Sequence, residues 1–162
     1  MTPIMLATDG SPSAEEATSE AIDLAARLEL PLIVVSVAHD STPGYGYYGY
    51  AEVAAELRKI ELERIGKVLE AIEARAEEAG VEVETLALEG LAGRELCKVA
   101  AEHDARLVVI GAHGWGRLGR LIHGSVSTYV LHHATTPVLV VHGDDAAVLG
   151  RSAAAESAAT FV

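Results

Sequence analysis

The segment LVVIGAHGWGRLGRLIHGSVSTYVLHHATTPVLVV, residues 107–141, contains a strand, a loop, a helix and a second strand in succession. The apolar runs at 106–110 and 138–141 have the length and the β-branched content of buried strands. Apolar residues at helical spacing predict a short helix over 125–134, which ends before Pro137 because proline disfavours helix in the preceding residue. Buried strands joined through a helix are typical of a parallel sheet that helices cover on both faces.

The rest of the chain repeats this alternation. It predicts a single doubly wound, Rossmann-like α/β domain with a five-stranded parallel sheet, since 162 residues are too few for an eight-stranded barrel. The other predicted strands are 3–8, 32–38 and 81–88. The longest helix, 51–79, has apolar residues on one broad face, and we expect that face to pack in the core. These residues are Val53, Leu57, Ile60, Ile65, Val68, Leu69 and Ile72.

Two polar turns follow predicted strands and have the composition of ligand-binding turns. Thr8-Asp9-Gly10 follows the first strand, and the glycine-rich loop 111–124 follows the fourth. In open parallel sheets, ligands bind at the carboxyl ends of strands where the winding direction changes. If both turns serve one ligand, the first and fourth strands must be neighbours. This predicts the strand order 3-2-1-4-5, with the binding crevice between strands 1 and 4.

Composition excludes several classes of partner. Asp and Glu number 24 against 12 Lys and Arg, so the net charge of −12 repels nucleic acid and anionic membranes. The single cysteine, Cys97, excludes an internal disulfide and fits a reducing compartment. No apolar run approaches the roughly 20 residues that span a bilayer, and residues 1–10 do not resemble a signal peptide. We expect a cytoplasmic protein that binds neither nucleic acid nor membrane, with a folded domain over 1–142 and a mobile, Ala-rich tail over 143–162.

The loop 111–124 has the chemistry that a phosphate chain requires. Gly111 and Gly114 have no Cβ, so the backbone can approach a ligand closely. Gly124 and Ser125 open the next helix, whose free N–H groups and dipole favour an anion. Two arginines within the loop supply local positive charge and are candidate phosphate contacts: Arg117 and Arg120.

Asp9 has the opposite chemistry, because a carboxylate accepts hydrogen bonds from ribose hydroxyls or a base edge and not from phosphate. A carboxylate at one end of the crevice and glycines at the other describe a nucleotide site. The glycines would equally suit a tight turn with no ligand. There is no GxxxxGK[ST] P-loop, and no GxGxxG opens a helix directly after the first strand. The residues by themselves leave both interpretations open.

The spacing Gly111-x2-Gly114-x9-Gly124-Ser125 resembles the G-2x-G-9x-G-[S/T] motif of the ATP-binding branch of the universal stress protein family. The resemblance extends over roughly residues 2–142 and leaves the tail outside it. Three segments carry it, in the order typical of the family: IMLATDGSPSA (4–14), VVIGAHG (108–114) and GSVSTYVLHHATTPVLVV (124–141).

The resemblance implies an adenine-nucleotide-binding domain, usually a homodimer, with ATP as the ligand. By position it assigns Asp9 to the ribose and Val37, at the end of the second strand, to a backbone contact with adenine. The residues implied beneath the nucleotide or around its phosphates are Ala7, Thr8, Ile110, Gly111, Gly114, Gly124, Ser125 and Val126. Trp115 and Gly116 depart from the family pattern, which puts the contacts of residues 115–123 in doubt.

Metal and catalytic sites are not predicted. None of the seven histidines belongs to an HExxH motif or a cysteine-paired set, so Mg²⁺ or Mn²⁺ carried by nucleotide phosphates is the better interpretation. No GxSxG motif occurs and nothing fixes a base against Ser125, which favours a binding module with at most slow ATP hydrolysis. Three alternatives stay open: a nucleotide-independent, chaperone-like dimer of the same family, a slow ATPase or phosphotransferase, and a cyclic-nucleotide binder.

The last strand lies at a sheet edge in the predicted order. An apolar, uncovered edge invites pairing with another strand. We therefore predict a two-fold homodimer built on residues 137–142, with the same strand contributed by each protomer.

Overall fold

The computed structural model describes residues 1–39, 50–112 and 125–142. Strands and helices alternate along these residues as the sequence predicts. In chain order they are β1 (Ile4–Ala7), α1 (Pro12–Leu28), β2 (Leu32–His39), α2 (Tyr50–Glu78), β3 (Val83–Gly90), α3 (Ala92–Glu102), β4 (Leu107–Gly111), α4 (Ser125–His133) and β5 (Val138–Val141). The predicted tail at 143–162 lies outside the described residues.

The five strands form one parallel sheet in the order β3-β2-β1-β4-β5, which confirms the predicted order. β1 is central: Ile4 pairs with Leu32 of β2 on one side and with Leu107 of β4 on the other. The chain places β2 and β3 on one side of β1 and then crosses to place β4 and β5 on the other side. The winding direction therefore changes between β1 and β4, and the carboxyl ends of these two strands form the switch point.

Helices cover both faces of the sheet. Successive residues of β1 point to opposite faces, and all four are buried. Ile4 and Leu6 pack in a core cluster with residues of α1 and α2, whereas Met5 and Ala7 pack in a second cluster with residues of α3 and α4. Burial on both faces explains why the central strands are continuously apolar instead of alternating.

The long helix α2 packs against the core from Leu62 onward and leaves three large apolar residues before it exposed. The prediction that its whole apolar face joins the core is therefore wrong for the first half. Core residues of the second half are Ile65, Val68, Leu69 and Ile72, whereas the first half leaves Val53 (56%), Leu57 (59%) and Ile60 (54%) exposed.

The reason is a mismatch of length. A helix of 29 residues extends about 43 Å, whereas the eight-residue strands β2 and β3 extend about 26 Å. Within the described ranges, neither α2 nor another helix combines the length and hydrophobicity needed to cross a membrane.

Candidate functional site

The first candidate segment is the turn that joins β1 to α1, residues 8–11. Two side chains shape it by accepting hydrogen bonds from the backbone. Gly10 N donates to Thr8 Oγ1 at 3.2 Å, and Ser11 N donates to Asp9 Oδ1 at 2.9 Å. An aspartate that accepts from the N–H two residues ahead forms an Asx turn. The turn therefore fixes the Asp9 side chain at the carboxyl end of the central strand.

Position 10 of this turn requires glycine. Gly10 has a φ of +70°, in the left-handed region that residues with a Cβ rarely adopt. A Cβ there would lie 2.7 Å from Val68 Cγ2 on α2. From the same helix, Arg64 Nη1 donates a hydrogen bond of 2.9 Å to the main-chain oxygen of Asp9. Helix α2 therefore packs directly against the turn that carries Asp9.

The second candidate segment is the end of β4, which lies beside the turn. Ala7 pairs in register with Ile110, so the residues that follow each of them are also adjacent. Ile110, Gly111 and Ala112 are all buried. Ala112 N donates to Val141 O of β5 at 2.8 Å, which continues the sheet beyond the last strand pair. The structure thus brings together three residues that the resemblance implies beneath the nucleotide, here called the floor residues: Ala7, Ile110 and Gly111.

Val37 lies on the opposite side of the turn, on β2. It is two residues beyond Val35, which is the register partner of Ala7. Thr8 N donates to Val35 O at 3.0 Å, so β1 and β2 stay paired up to the start of the turn. Val37 is partly buried, and its place beyond Val35 puts it at the carboxyl edge of the sheet, where the turn of Asp9 also begins. The predicted adenine and ribose contacts therefore lie at the same edge of the sheet, on adjacent strands.

Helix α4 begins at the same edge. Ser125 is its first residue and is exposed, whereas Val126 packs against the core cluster that contains Ala7 and Ile110. Ser127 is buried, and its Oγ donates to the main-chain oxygen of Ala112 at 3.3 Å. This hydrogen bond ties the first turn of α4 to the end of β4. The N-terminus of α4 is thereby held at the switch point.

The remaining predicted contacts lie outside the described residues. Gly114, Gly124 and Arg117 fall between β4 and α4 in the sequence, as does Arg120. The phosphate contacts assigned to them stay predictions.

The possible metal ligands and the cysteine of the described residues lie apart from one another or are protected by burial. No group of three or more His, Cys, Asp or Glu in those residues is placed to hold a metal ion. Cys97 is half-buried on α3, and its burial raises the pKa of the thiol above the ordinary value. A thiol that stays protonated is a poor nucleophile. What the described edge offers is hydrogen bonding by backbone and by oxygen-bearing side chains.

A model of the universal stress protein family matches residues 1–142 of the chain. The chain belongs to the universal stress protein family. A universal stress protein of Methanocaldococcus jannaschii is 35% identical to it over 140 residues, which cover 85% of this chain and 80% of that protein.

Solved structures of the family share the fold of this universal stress protein. Universal stress protein UspA from Lactobacillus plantarum has a TM-score of 0.79 and 26% identity, and the match covers 86% of this chain and 97% of that one. A universal stress protein in complex with cAMP has a TM-score of 0.65 and 26% identity, with 87% and 97% covered. The universal stress protein from Archaeoglobus fulgidus in complex with dAMP has a TM-score of 0.59 and 25% identity, with 86% and 97% covered.

The family match confirms the resemblance to universal stress proteins, and the assignment to the ATP-binding branch stays a prediction. Two side chains at the edge, Arg64 and Ser127, are not assigned by those motifs. The sequence gives a weak indication that Ser127 is buried and bonded. It lies three residues before the buried Val130, so both face the same side of α4. Arg64 has no local signal, since 55 positions separate it from its acceptor Asp9.

Proposed function

We propose that this universal stress protein binds an adenine nucleotide, ATP, outside the carboxyl ends of β1 and β4, and acts as a regulatory module in a stress response. The observation that carries the proposal is that three features meet at one edge of the sheet. They are the Asx turn of Asp9, the buried end of β4 and the N-terminus of α4. Open parallel sheets bind ligands at this switch point. Two solved relatives in complex with cAMP and dAMP support an adenine nucleotide.

In this proposal the adenosine end lies over β1 and β2. A carboxylate has about four acceptor positions, so Asp9 can accept from a ribose hydroxyl as well as from Ser11 N. The backbone of Val37 contacts the adenine ring. Ala7 and Thr8 lie beneath the nucleoside, where their small or buried side chains leave room for it.

The phosphate end lies over β4 and α4. The first N–H groups of a helix and its dipole stabilise an anion. Ser125 is exposed at this terminus and can donate its hydroxyl, whereas the Ser127 hydroxyl already donates to Ala112 O. Ile110 and Gly111 line the floor of the site. The resemblance assigns Gly114, Gly124 and Val126 to the phosphates, and Arg117 is a candidate source of positive charge there. Mg²⁺ or Mn²⁺ is carried by the phosphates and keeps water ligands.

Calorimetric titration with ATP, AMP, cAMP and GTP tests the proposal. We expect ATP to bind more tightly than AMP, because only ATP extends along the phosphate-binding end. GTP is the matched control, since it keeps the phosphates and changes only the base edge. Binding of none of the adenine nucleotides at millimolar concentration would contradict the proposal and favour a nucleotide-independent dimer.

A cyclic nucleotide is the second candidate ligand, and the cAMP complex of a solved relative favours it. Tighter binding of cAMP than of ATP would show that the cyclic nucleotide is the preferred ligand.

Mass spectrometry of the small molecule released on denaturation identifies the ligand bound in the cell. ADP release in the presence of Mg²⁺ separates binding from slow hydrolysis. The cytoplasmic location stays a prediction.

We also propose that the protein is a homodimer through residues 137–142. β5 is an edge strand, and its residues are only partly buried in the protomer. Val108 N donates to Pro137 O, and Ala112 N donates to Val141 O, so the odd-numbered carbonyls of β5 face β4. Because alternate residues of a strand direct their backbone groups to opposite sides, Val140 presents its N–H to the open edge.

Sedimentation velocity of two variants of Val140 tests the dimer. Val140→Pro removes the outward N–H and should lower the dimer fraction. Val140→Thr is the control and should leave the dimer fraction unchanged, because it keeps that N–H and a β-branched side chain. A proline variant that remains folded by circular dichroism and dimeric would contradict strand pairing at this edge.

A further inference from the structure

Two side chains of α2 clamp the turn that carries Asp9. Arg64 Nη1 donates to Asp9 O at 2.9 Å, and Val68 packs against Gly10 so closely that a Cβ there would lie 2.7 Å from Val68 Cγ2. Arg64 and Val68 are four residues apart and therefore share one face of the helix. Nothing in the universal stress protein motifs assigns this face to the ligand site.

The clamp fixes the position of the Asp9 side chain. Asp9 is held by its carbonyl through Arg64 and by Oδ1 through Ser11 N. With its main chain and one carboxylate oxygen both anchored, the direction of the carboxylate is determined. A hydrogen bond with a charged donor is shorter and stronger than a neutral one, so Arg64 is the stronger kind of anchor for this peptide. Glu61 Oε1 lies 4.0 Å from Arg64 Nη2, which adds an ion pair within α2.

We propose that Arg64 is a positioning residue for Asp9 and that helix α2 thereby sets the affinity for the ribose end of the nucleotide. The proposal rests on the proposed function of the site, because it concerns the same ligand. Arg64 acts through the turn and does not touch the nucleotide. Its loss should therefore matter only while Asp9 is present.

The chain offers a matched control on the same helix. Arg75 joins α2 to helix α1. Its Nη1 donates to Glu15 Oε1 at 2.7 Å, and its Nη2 donates to Ser19 Oγ at 3.1 Å. The side chains of Arg64 and Arg75 are 41% and 40% exposed. Replacing Arg75 thus removes a similar tertiary contact of a similarly exposed arginine, but away from the turn.

The experiment measures ATP affinity for Arg64→Met, Arg64→Lys and Arg75→Met, and for Arg64→Met combined with Asp9→Ala. Methionine keeps most of the length of the arginine side chain without the charge. We expect Arg64→Met to weaken ATP binding by roughly tenfold, because the Asp9 carboxylate is no longer held in one direction before the nucleotide binds. Arg64→Lys restores part of the affinity because its ammonium can donate to the same carbonyl, and Arg75→Met binds like the original chain.

The combination with Asp9→Ala decides between positioning and a merely structural role. If Arg64 acts through Asp9, Arg64→Met causes no further loss when Asp9 is already alanine. The same tenfold loss on both backgrounds, an unchanged affinity of Arg64→Met, or an equal loss in Arg75→Met would overturn the proposal. Failure of the unaltered protein to bind ATP is a different result, which overturns the proposed function itself.

Discussion

The two sides of the proposed crevice are built in different ways. The β1 side depends on contacts between segments far apart in sequence, since Arg64 and Val68 of α2 hold the turn of Asp9 and Gly10. The β4 side depends on near neighbours, since Ser127 of α4 bonds to a carbonyl 15 positions away. A short motif can therefore specify the proposed phosphate end, whereas the proposed ribose end needs the packing of another helix. Single substitutions can therefore perturb each side of the crevice without changing the other.

The largest expected effect comes from Gly10→Ala on the β1 side. A left-handed φ costs a residue with a Cβ about 1–2 kcal/mol, and the new methyl group would displace Val68. We expect a total loss of about 2–4 kcal/mol in the free energy of unfolding, measured by urea denaturation. Gly66→Ala is the control: a Cβ there meets nothing within 4 Å, and alanine in a helix stabilises by about 0.5–1 kcal/mol. Equal stability of both variants would contradict the clamp.

The next largest effect is on ligand affinity and comes from Asp9→Asn. Asparagine keeps an Oδ1 that can accept from Ser11 N, so the turn and the stability should be retained. The charged acceptor for the ribose is lost, which corresponds to about 1.5–3 kcal/mol, or roughly 10- to 150-fold in the ATP dissociation constant. Calorimetric titration measures this change. An unchanged ATP affinity would remove Asp9 from the site, and a large loss of stability would show that its charge serves the fold.

A smaller pair of effects sharpens the description of the β4 side. Ser127→Ala leaves the Ala112 carbonyl without its buried donor and should cost about 1–2 kcal/mol in thermal or urea unfolding. Ser125→Ala removes an exposed hydroxyl, so the free energy of unfolding should stay within about 0.5 kcal/mol of that of the unaltered protein. ATP binding should weaken several-fold. If the two serines exchanged these effects, the assignment of Ser125 to the ligand would be wrong.

Most of the fold follows from local patterns in the sequence. Alternating apolar strands and amphipathic helices predict the parallel sheet, and the polar turns at 8–10 and 111–124 predict that β1 and β4 are neighbours. The strand order follows from the expectation that both turns serve one ligand at the point where the winding direction changes. The pairing of Ala7 with Ile110 then brings the predicted floor residues together.

Helix α2 shows where local patterns fail. Periodicity tells which residues share a face, but not whether the sheet is long enough to cover that face. Val53 and Leu57 have the spacing of core residues and are nevertheless exposed, because the helix is longer than the strands beneath it. The contact of Arg64 with Asp9 is also beyond local patterns, since it depends on how α2 lies across the end of β1.

A crystal structure of the protein grown with Mg²⁺ and ATP is the most direct test of a nucleotide site at the switch point. The account predicts a ribose hydroxyl within hydrogen-bond distance of the Asp9 carboxylate, adenine beside the Val37 backbone and phosphate at the N-terminus of α4. A nucleotide bound elsewhere, or an empty edge between β1 and β4 at millimolar ATP, would contradict it.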